Sequence, residues 1–249
     1  MRNLFTKSIH LCCFAALSLL ASNASAAVTE WFEEHGDIGI GYEGGNELEL
    51  HYHFEDGVNG SDPGSDLELE PNQAYIRVAD NAFRTNSLGG QNYWVLPESN
   101  SNGSMTGAED LGLPFVGLAA EELEASDFTS DITLTLTDFN GPGDFALWRE
   151  GSVPGDETVF MQTNGGTISA DTFSLMVGEH GHANFGFTQE GVYEIELTAS
   201  GNLAGGGTAT DTETFRFAVG SATAIPEPTS FAMLASLGAF AGLARRRRS

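Results

Sequence analysis

The sequence predicts an all-β fold, an antiparallel immunoglobulin-like β-sandwich with inserted polar loops. Two observations carry the prediction. The first is period-2 alternation: "DITLTLT" sets Ile132, Leu134 and Leu136 on one face and threonines on the other. "VYEIELTA" does the same with Tyr193, Ile195 and Leu197, and "TFRFAV" with Phe215, Phe217 and Val219. Side chains alternate across a strand, so such segments are half-buried strands. The second is the spacing of turn signals, Gly141-Pro142-Gly143, Pro154-Gly155, Asn164-Gly165-Gly166 and Gly205-Gly206-Gly207. Many short strands between glycine-rich turns favour a sandwich.

Taken in order, the first half predicts strands over 37–43, 47–54, 73–79 and 92–96. The segment "LAAEELEA", 118–125, competes as one or two turns of helix. Two polar stretches without periodicity, 55–66 and 98–110, read as surface loops. Asp56, Asp62 and Asp66 in the first offer carboxylates for Ca²⁺, without the spacing of an EF-hand. No internal repeat and no long linker divides the chain.

Both ends read as addresses. The start has a basic region (Arg2, Lys7), an apolar run and Ala24-Ser25-Ala26, the layout of a secretory signal peptide over 1–26. Cys12 and Cys13 lie inside it, so the mature chain has neither a disulfide nor a thiolate ligand. At the other end, 221–249, stand Pro226-Glu227-Pro228, an apolar segment over 231–244, and Arg245, Arg246, Arg247 and Arg248. Fourteen helical residues rise about 21 Å, against a hydrocarbon core of roughly 30 Å, so the segment reads as a short transmembrane anchor. The arginines would stay cytoplasmic. This order resembles the PEP-CTERM sorting signal. The resemblance implies secretion, an inner-membrane-anchored precursor, recognition by an exosortase, and a cell-surface or extracellular-matrix destination alongside exopolysaccharide.

Between the addresses, 27–220 is long enough for one substantial domain. It keeps four basic residues (Arg77, Arg84, Arg149, Arg216) against 34 acidic ones, a net charge of about −30. Such a surface repels nucleic acid, attracts divalent cations and favours solubility. It has no lysine, no Gly-x-Ser-x-Gly elbow and no phosphate-binding loop. No carboxylate pair stands out for glycoside hydrolysis, and the chain is read as a non-enzyme. Trp31, Trp94 and Trp148 serve either as sugar-stacking platforms or, more commonly in a sandwich, as core.

Histidine is the most informative residue. The mature chain has five, and four form two His-x-His units, His51/His53 and His180/His182, with His35 one strand ahead of the first. Residues i and i+2 of a strand share a face. In "ELELHYHF" the histidines share theirs with Glu47 and Glu49, while Leu48, Leu50, Tyr52 and Phe54 face the core. The plain alternative is surface histidines satisfied by carboxylates. The chemical one is a site in which His51, His53, His180 and His182 share an ion, with His35 or Glu49 as an additional ligand. Imidazoles with carboxylates nearby suit Zn²⁺ first, and admit Cu²⁺, Mn²⁺ or Ni²⁺. Gly45 ahead of His51-Tyr52-His53 resembles the opening of a cupin motif, but Gly57 and Val58 stand where its glutamate belongs.

The run "HGDIGIGYEGGNELELHYHF", "YWVLP", "LPFVGLAAEEL", "ITLTLTDFNGPGDFALW", "HGHANFGFTQEGVYEIELTASG" and "FRFAVG" resembles, over 31–220, the choice-of-anchor M domain. That family is related to the surface-anchored repeat domain of actinobacterial wall proteins. The resemblance implies a surface domain whose C-terminal anchor varies, here the PEP-CTERM tail. The actinobacterial relatives are associated with an ABC transporter whose binding protein is similar to Zn/Mn-binding lipoproteins, which implies metal handling. Their wall-sorting motifs are absent here, so transporter partnership is not carried over. Two functions follow: a surface protein binding a divalent metal through its histidines, or a structural or adhesive component of the exopolysaccharide matrix.

The tail yields a test. Replacing Pro226, Glu227 and Pro228 by alanine is expected to leave an unprocessed precursor in membrane fractions. Normal release of that variant, followed by immunoblotting, would contradict the sorting role.

Overall fold

A computed structural model describes residues 28–101, 106–153, 155–168 and 170–221. The signal peptide, the apolar segment 231–244 and the terminal arginines lie outside these. Among the described residues no helix is long and apolar enough to cross a membrane.

Among the described residues the alternating segments form sixteen strands in three sheets. The largest sheet has the order β1 (Thr29–Trp31), β5 (Ala74–Val78), β16 (Thr208–Val219), β15 (Gly191–Asn202), β9 (Ile132–Asn140), β12 (Thr172–Leu175). Its centre is the long antiparallel pair β15/β16, with Ile195 opposite Phe215 and Tyr193 opposite Phe217. A second sheet runs β11 (Thr158–Gln162), β10 (Phe145–Arg149), β14 (Asn184–Phe187), β7 (Tyr93–Leu96), β6 (Phe83–Arg84). The third carries every mature histidine: β13 (His180–His182), β8 (Phe115–Ala119), β2 (His35–Gly41), β3 (Glu49–Phe54), β4 (Leu67–Leu69). Ile38 and Leu118 of this sheet, Phe145, Leu147 and Phe185 of the second, and Ile195, Leu197, Phe215 and Phe217 of the first meet around one point in the core. The layers are thus one six-stranded sheet facing two five-stranded ones.

The faces follow the alternation. Leu50, Tyr52 and Phe54 are buried, as are Ile132, Leu134 and Leu136. Outward threonines pair across strands, with the Thr198 and Thr212 hydroxyls 2.8 Å apart. The Tyr193 hydroxyl donates to the Gln189 carbonyl at 2.8 Å and accepts from its N–H, a tie that pins the chain entering a sandwich strand. Trp31 and Trp148 are fully buried, and the half-buried Trp94 packs on Phe83 at 4.6 Å; these tryptophans are core, not sugar platforms.

Two features differ from the sequence reading. Pairings β1/β5, β5/β16 and β2/β8 are parallel. Parallel neighbours need a crossover connection, and here strands from other sheets intervene between them. Alternation specifies a strand's faces, not its partner's direction. The other concerns 118–125, for which one or two helical turns are the competing reading. Leu118 and Ala119 are instead strand, paired with Gly181 and His180 on one side and with Ile38 and Gly39 on the other. A tight turn follows, closed by Leu123 N–H on the Ala120 carbonyl at 3.2 Å. Among the described residues the α-helix is Ala108–Leu111.

Ile195 is 2% exposed between the layers. Ile195→Ala is expected to cost about 2–5 kcal/mol by opening a cavity there, read by chemical denaturation. With no cysteine in the domain, reductant should leave the midpoint unchanged.

Candidate metal centre

The outer face of the histidine sheet is organised as rows. Residues paired across neighbouring strands share a face, so the registers place His182, Gly117, Asp37 and His53 in one row. His180, Ala119, Gly39 and His51 form the next, and Phe115 and His35 a third. The alternation "HGDIGIG" explains β2: His35, Asp37 and Gly39 point out while Ile38 and Ile40 fill the core.

Two glycines make this face hospitable. A Cβ on Gly39 would stand 2.8 Å from His51 Nε2. A Cβ on Gly117 would fall on the Asp37 Oδ1 and stand 3.2 Å from His182 Cε1. Side chains from adjacent strands lean into these gaps, an approach that any other residue would block.

The site residues separate into two clusters. His35, His180 and His182 each offer a nitrogen, all within 4.8 Å of one another. Their rings are 5.2–6.0 Å apart between centroids. His51 joins Glu68 and Glu122 in a second such group. The expectation that both His-x-His units share one ion is therefore corrected. Strands β3 and β13 are separated by β2 and β8, which puts the row ends about 14 Å apart. Ligands to one ion must reach it within about 2.0–2.1 Å. His35, the expected additional ligand, instead completes the His180/His182 pair. Glu49 joins neither cluster and lines an acidic cleft with Glu43, Glu47, Glu70, Asp211 and Glu213. Asp56 holds its own loop by accepting the Gly64 N–H at 2.7 Å, and Asp66 pairs with His53 at 2.6 Å.

Residues that sequence reasoning missed complete the picture. The turn after β8 is fastened to the approach to β13 by Ala120 N–H to the Glu179 carbonyl and Gly178 N–H to the Ala120 carbonyl, both 2.8 Å. It carries Glu121 to His180 Nδ1 at 2.7 Å and Glu122 to His51 Nε2 at 2.9 Å. Adjacent glutamates thus serve different clusters. Their adjacency in "LAAEEL" was visible, but a helical reading of that segment hid its use. Asp37, 2% exposed at the centre of the histidine field, was also missed.

The histidines differ in protonation, even within one cluster. His51 has acceptors at both nitrogens, the Glu49 carbonyl at 3.3 Å and Glu122. Burial lowers its pKa, but the hydrogen bond and charge of Glu122 outweigh this and hold it above the ordinary histidine value. Glu122 is correspondingly lowered by the same hydrogen bond. Both shifts favour the imidazolium–carboxylate form of the pair, and His53 Nδ1 lies 3.9 Å from Glu122. His182 is the opposite case. Burial, with the charges of His35, His180 and Arg149, pushes it down to about 4 against the pull of its hydrogen bond to the Val116 carbonyl. Its ring stacks on Phe115 at 3.8 Å and 10°. Nδ1–H donates to Val116 at 3.1 Å, so Nε2 keeps its lone pair. His180 gives Nδ1–H to Glu121, leaving Nε2 for a ligand; burial lowers its pKa but Glu121 holds it above the ordinary value. A carboxylate or carbonyl on the far nitrogen is the arrangement that orients metal-binding imidazoles. Asp37 is raised chiefly by burial, against the lowering pull of His35 and His180.

Residues 224–248 match the PEP-CTERM protein-sorting motif. The match takes in Pro226-Glu227-Pro228 and the four arginines, so the chain ends in this sorting signal, which marks it for export and exosortase processing at the cell surface. No curated protein and no solved structure matches the chain.

The protonation pattern is directly measurable. In metal-free protein His182 should titrate near 4 by NMR, and His51 and His180 above 6.5. Between these values the unfolded chain binds more protons at His182 than the folded one. Its contribution to stability is full above pH 6.5 and is lost as pH falls to about 4. The contributions of His51 and His180 have the opposite sign, full below 6.5 and lost as pH rises through their folded pKa. An ordinary pKa for His182 would refute its stacked, neutral state.

Proposed function

We propose that the 27–220 domain is a divalent-metal-binding module presented at the cell surface or in the extracellular matrix, its ion held by His35, His180 and His182. The observation that carries this reading is the convergence of three imidazole nitrogens within 4.8 Å from strands β2 and β13. Two of the three are oriented through Nδ1 with Nε2 free. Borderline nitrogen donors suit Zn²⁺ first, with Cu²⁺, Ni²⁺ or Mn²⁺ as competitors. The net charge of about −30 concentrates divalent cations around the domain. The resemblance to the choice-of-anchor M domain leans the same way. Binding, not catalysis, is the proposed role.

The second reading, a structural or adhesive matrix component, draws on the other cluster. His51 and His53 are already satisfied by Glu122 and Asp66, as histidines with a purely structural role would be, although His51 itself is buried.

Zinc titration at moderate salt, followed by thermal unfolding, separates the two. A site that binds only the folded state stabilises it by about 2.7 kcal/mol at a hundredfold excess over Kd. His182→Ala should abolish this saturable gain, and His51→Ala should keep it. Equal stabilisation of wild type and His182→Ala would assign zinc to the diffuse acidic surface, which is weak and salt-screened, and leave the structural reading standing.

A further inference from the structure

We infer that Asp37 is the fourth ligand of the His35/His180/His182 centre, closing it as a three-imidazole, one-carboxylate site. This rests on the metal reading above and adds to it a ligand and a coordination type.

Burial gives the first reason. Asp37 is 2% exposed, and its Oδ1 is buried without a hydrogen-bond partner. Buried carboxylate oxygens are normally satisfied by donors, and one without them points to a missing partner such as an ion. Among the described residues no arginine donates to this oxygen, and the Nε–H of Arg149 goes to the His182 carbonyl at 2.7 Å.

Direction gives the second. Asp37 stands in the row between Gly117 and His53, and its Oδ1 lies over Gly117, towards the His182 ring, where any Cβ would collide with it. The carboxylate is turned to the side on which the imidazoles gather.

Spacing gives the third. Oδ1 is 3.6 Å from His35 Nε2. That is longer than a hydrogen bond. Two donors each about 2.0–2.1 Å from a tetrahedral ion stand about 3.3 Å apart, so the gap is nearly the edge of a coordination tetrahedron. Asp37 is not within the 4.8 Å set formed by the three imidazole nitrogens, so closing the site requires its carboxylate to turn further towards His180 and His182 when the ion binds.

Four protein ligands leave no open position for water, which is the mark of a site that holds its ion and does not activate solvent. The site is therefore suited to retaining zinc at the cell exterior and unsuited to hydrolysis.

The test is cobalt(II) and zinc binding by purified 27–220 protein, wild type against Asp37→Asn and Gly117→Ala. Asparagine keeps the shape and one acceptor oxygen of Asp37 but is a poor ligand. Alanine at 117 leaves every ligand in the sequence and puts a methyl group where Oδ1 lies. Circular dichroism first confirms that each metal-free variant is folded. The expected result is an intense visible spectrum of four-coordinate cobalt in wild type. Both variants should lose that intensity, and zinc affinity should fall by more than about 100-fold, beyond the 10–100-fold that loss of an outer-sphere partner costs. If Asp37→Asn keeps the four-coordinate spectrum and loses less than about 100-fold, Asp37 merely orients His35; this inference falls and the three-histidine reading survives. If wild type binds neither metal, both fall together.

Discussion

Everything on the outer face of the histidine sheet depends on bare backbone at Gly39 and Gly117. Strands in a sheet lie about 4.8 Å apart, and their side chains stand roughly perpendicular to it. Imidazoles and carboxylates from neighbouring strands would ordinarily form parallel rows held apart by the residues between them. Removing a Cβ from the two central strands lets His51 lean over β2 and Asp37 lean over β8. Glycine within a strand is unfavourable by up to about 1 kcal/mol. The inner face of the same strands offsets this with Ile38, Ile40, Val116 and Leu118, all essentially inaccessible. The sheet is thus heavy on its core side and thin on its chemical side.

On that floor, identical residue types at identical spacing come to different states. His51 and His182 are both second-row or first-row neighbours of a glycine, and both give Nδ1–H to a backbone carbonyl. What separates them is the other nitrogen. Glu122 faces Nε2 of His51 and favours its cation. His182 is buried against Phe115 with His35, His180 and Arg149 close by, so neutrality is favoured. A single tight turn arranges this by sending Glu121 one way and Glu122 the other. Spacing alone chooses neither a salt bridge nor a ligand set; the partner of the far nitrogen does.

Much of the fold was legible because alternation is a local property. The faces of β3, β9, β15 and β16 follow from the order of apolar residues, and the buried Leu50, Tyr52, Ile132 and Ile195 sit where the pattern puts them. Strand partners are non-local, and so the parallel pairings and the third sheet went unread. The same division explains the site. That His180 and His182 share a face was readable from i, i+2 spacing. That His35, some 145 residues earlier, and not His51 completes their cluster depends on β8 lying between β2 and β13. Asp37 was in plain view in "HGDIGIG", an acid alternating with histidine and glycine on a face without bulk. The Gly117 that makes room for it lies on another strand, and only the register brings them opposite.

The position of the cluster in the fold adds a mechanical consequence. Strand β13 has three residues, lies at the edge of its sheet and pairs only with β8. Short edge strands contribute little pairing of their own. After Ala183 the chain enters β14, a central strand of the neighbouring sheet, so His180 and His182 mark the seam where the two five-stranded sheets meet. In the proposed site an ion held between these histidines and His35 would span β8 and tie the edge to β2, the middle strand of its sheet. The core does not need it: Trp31, Tyr52, Phe54, Phe145, Phe187, Phe215 and Phe217 are buried on the opposite side of the backbone. In an exported domain without a single disulfide, the metal would act where a disulfide commonly does, as a link between neighbouring pieces of a sheet that is already folded.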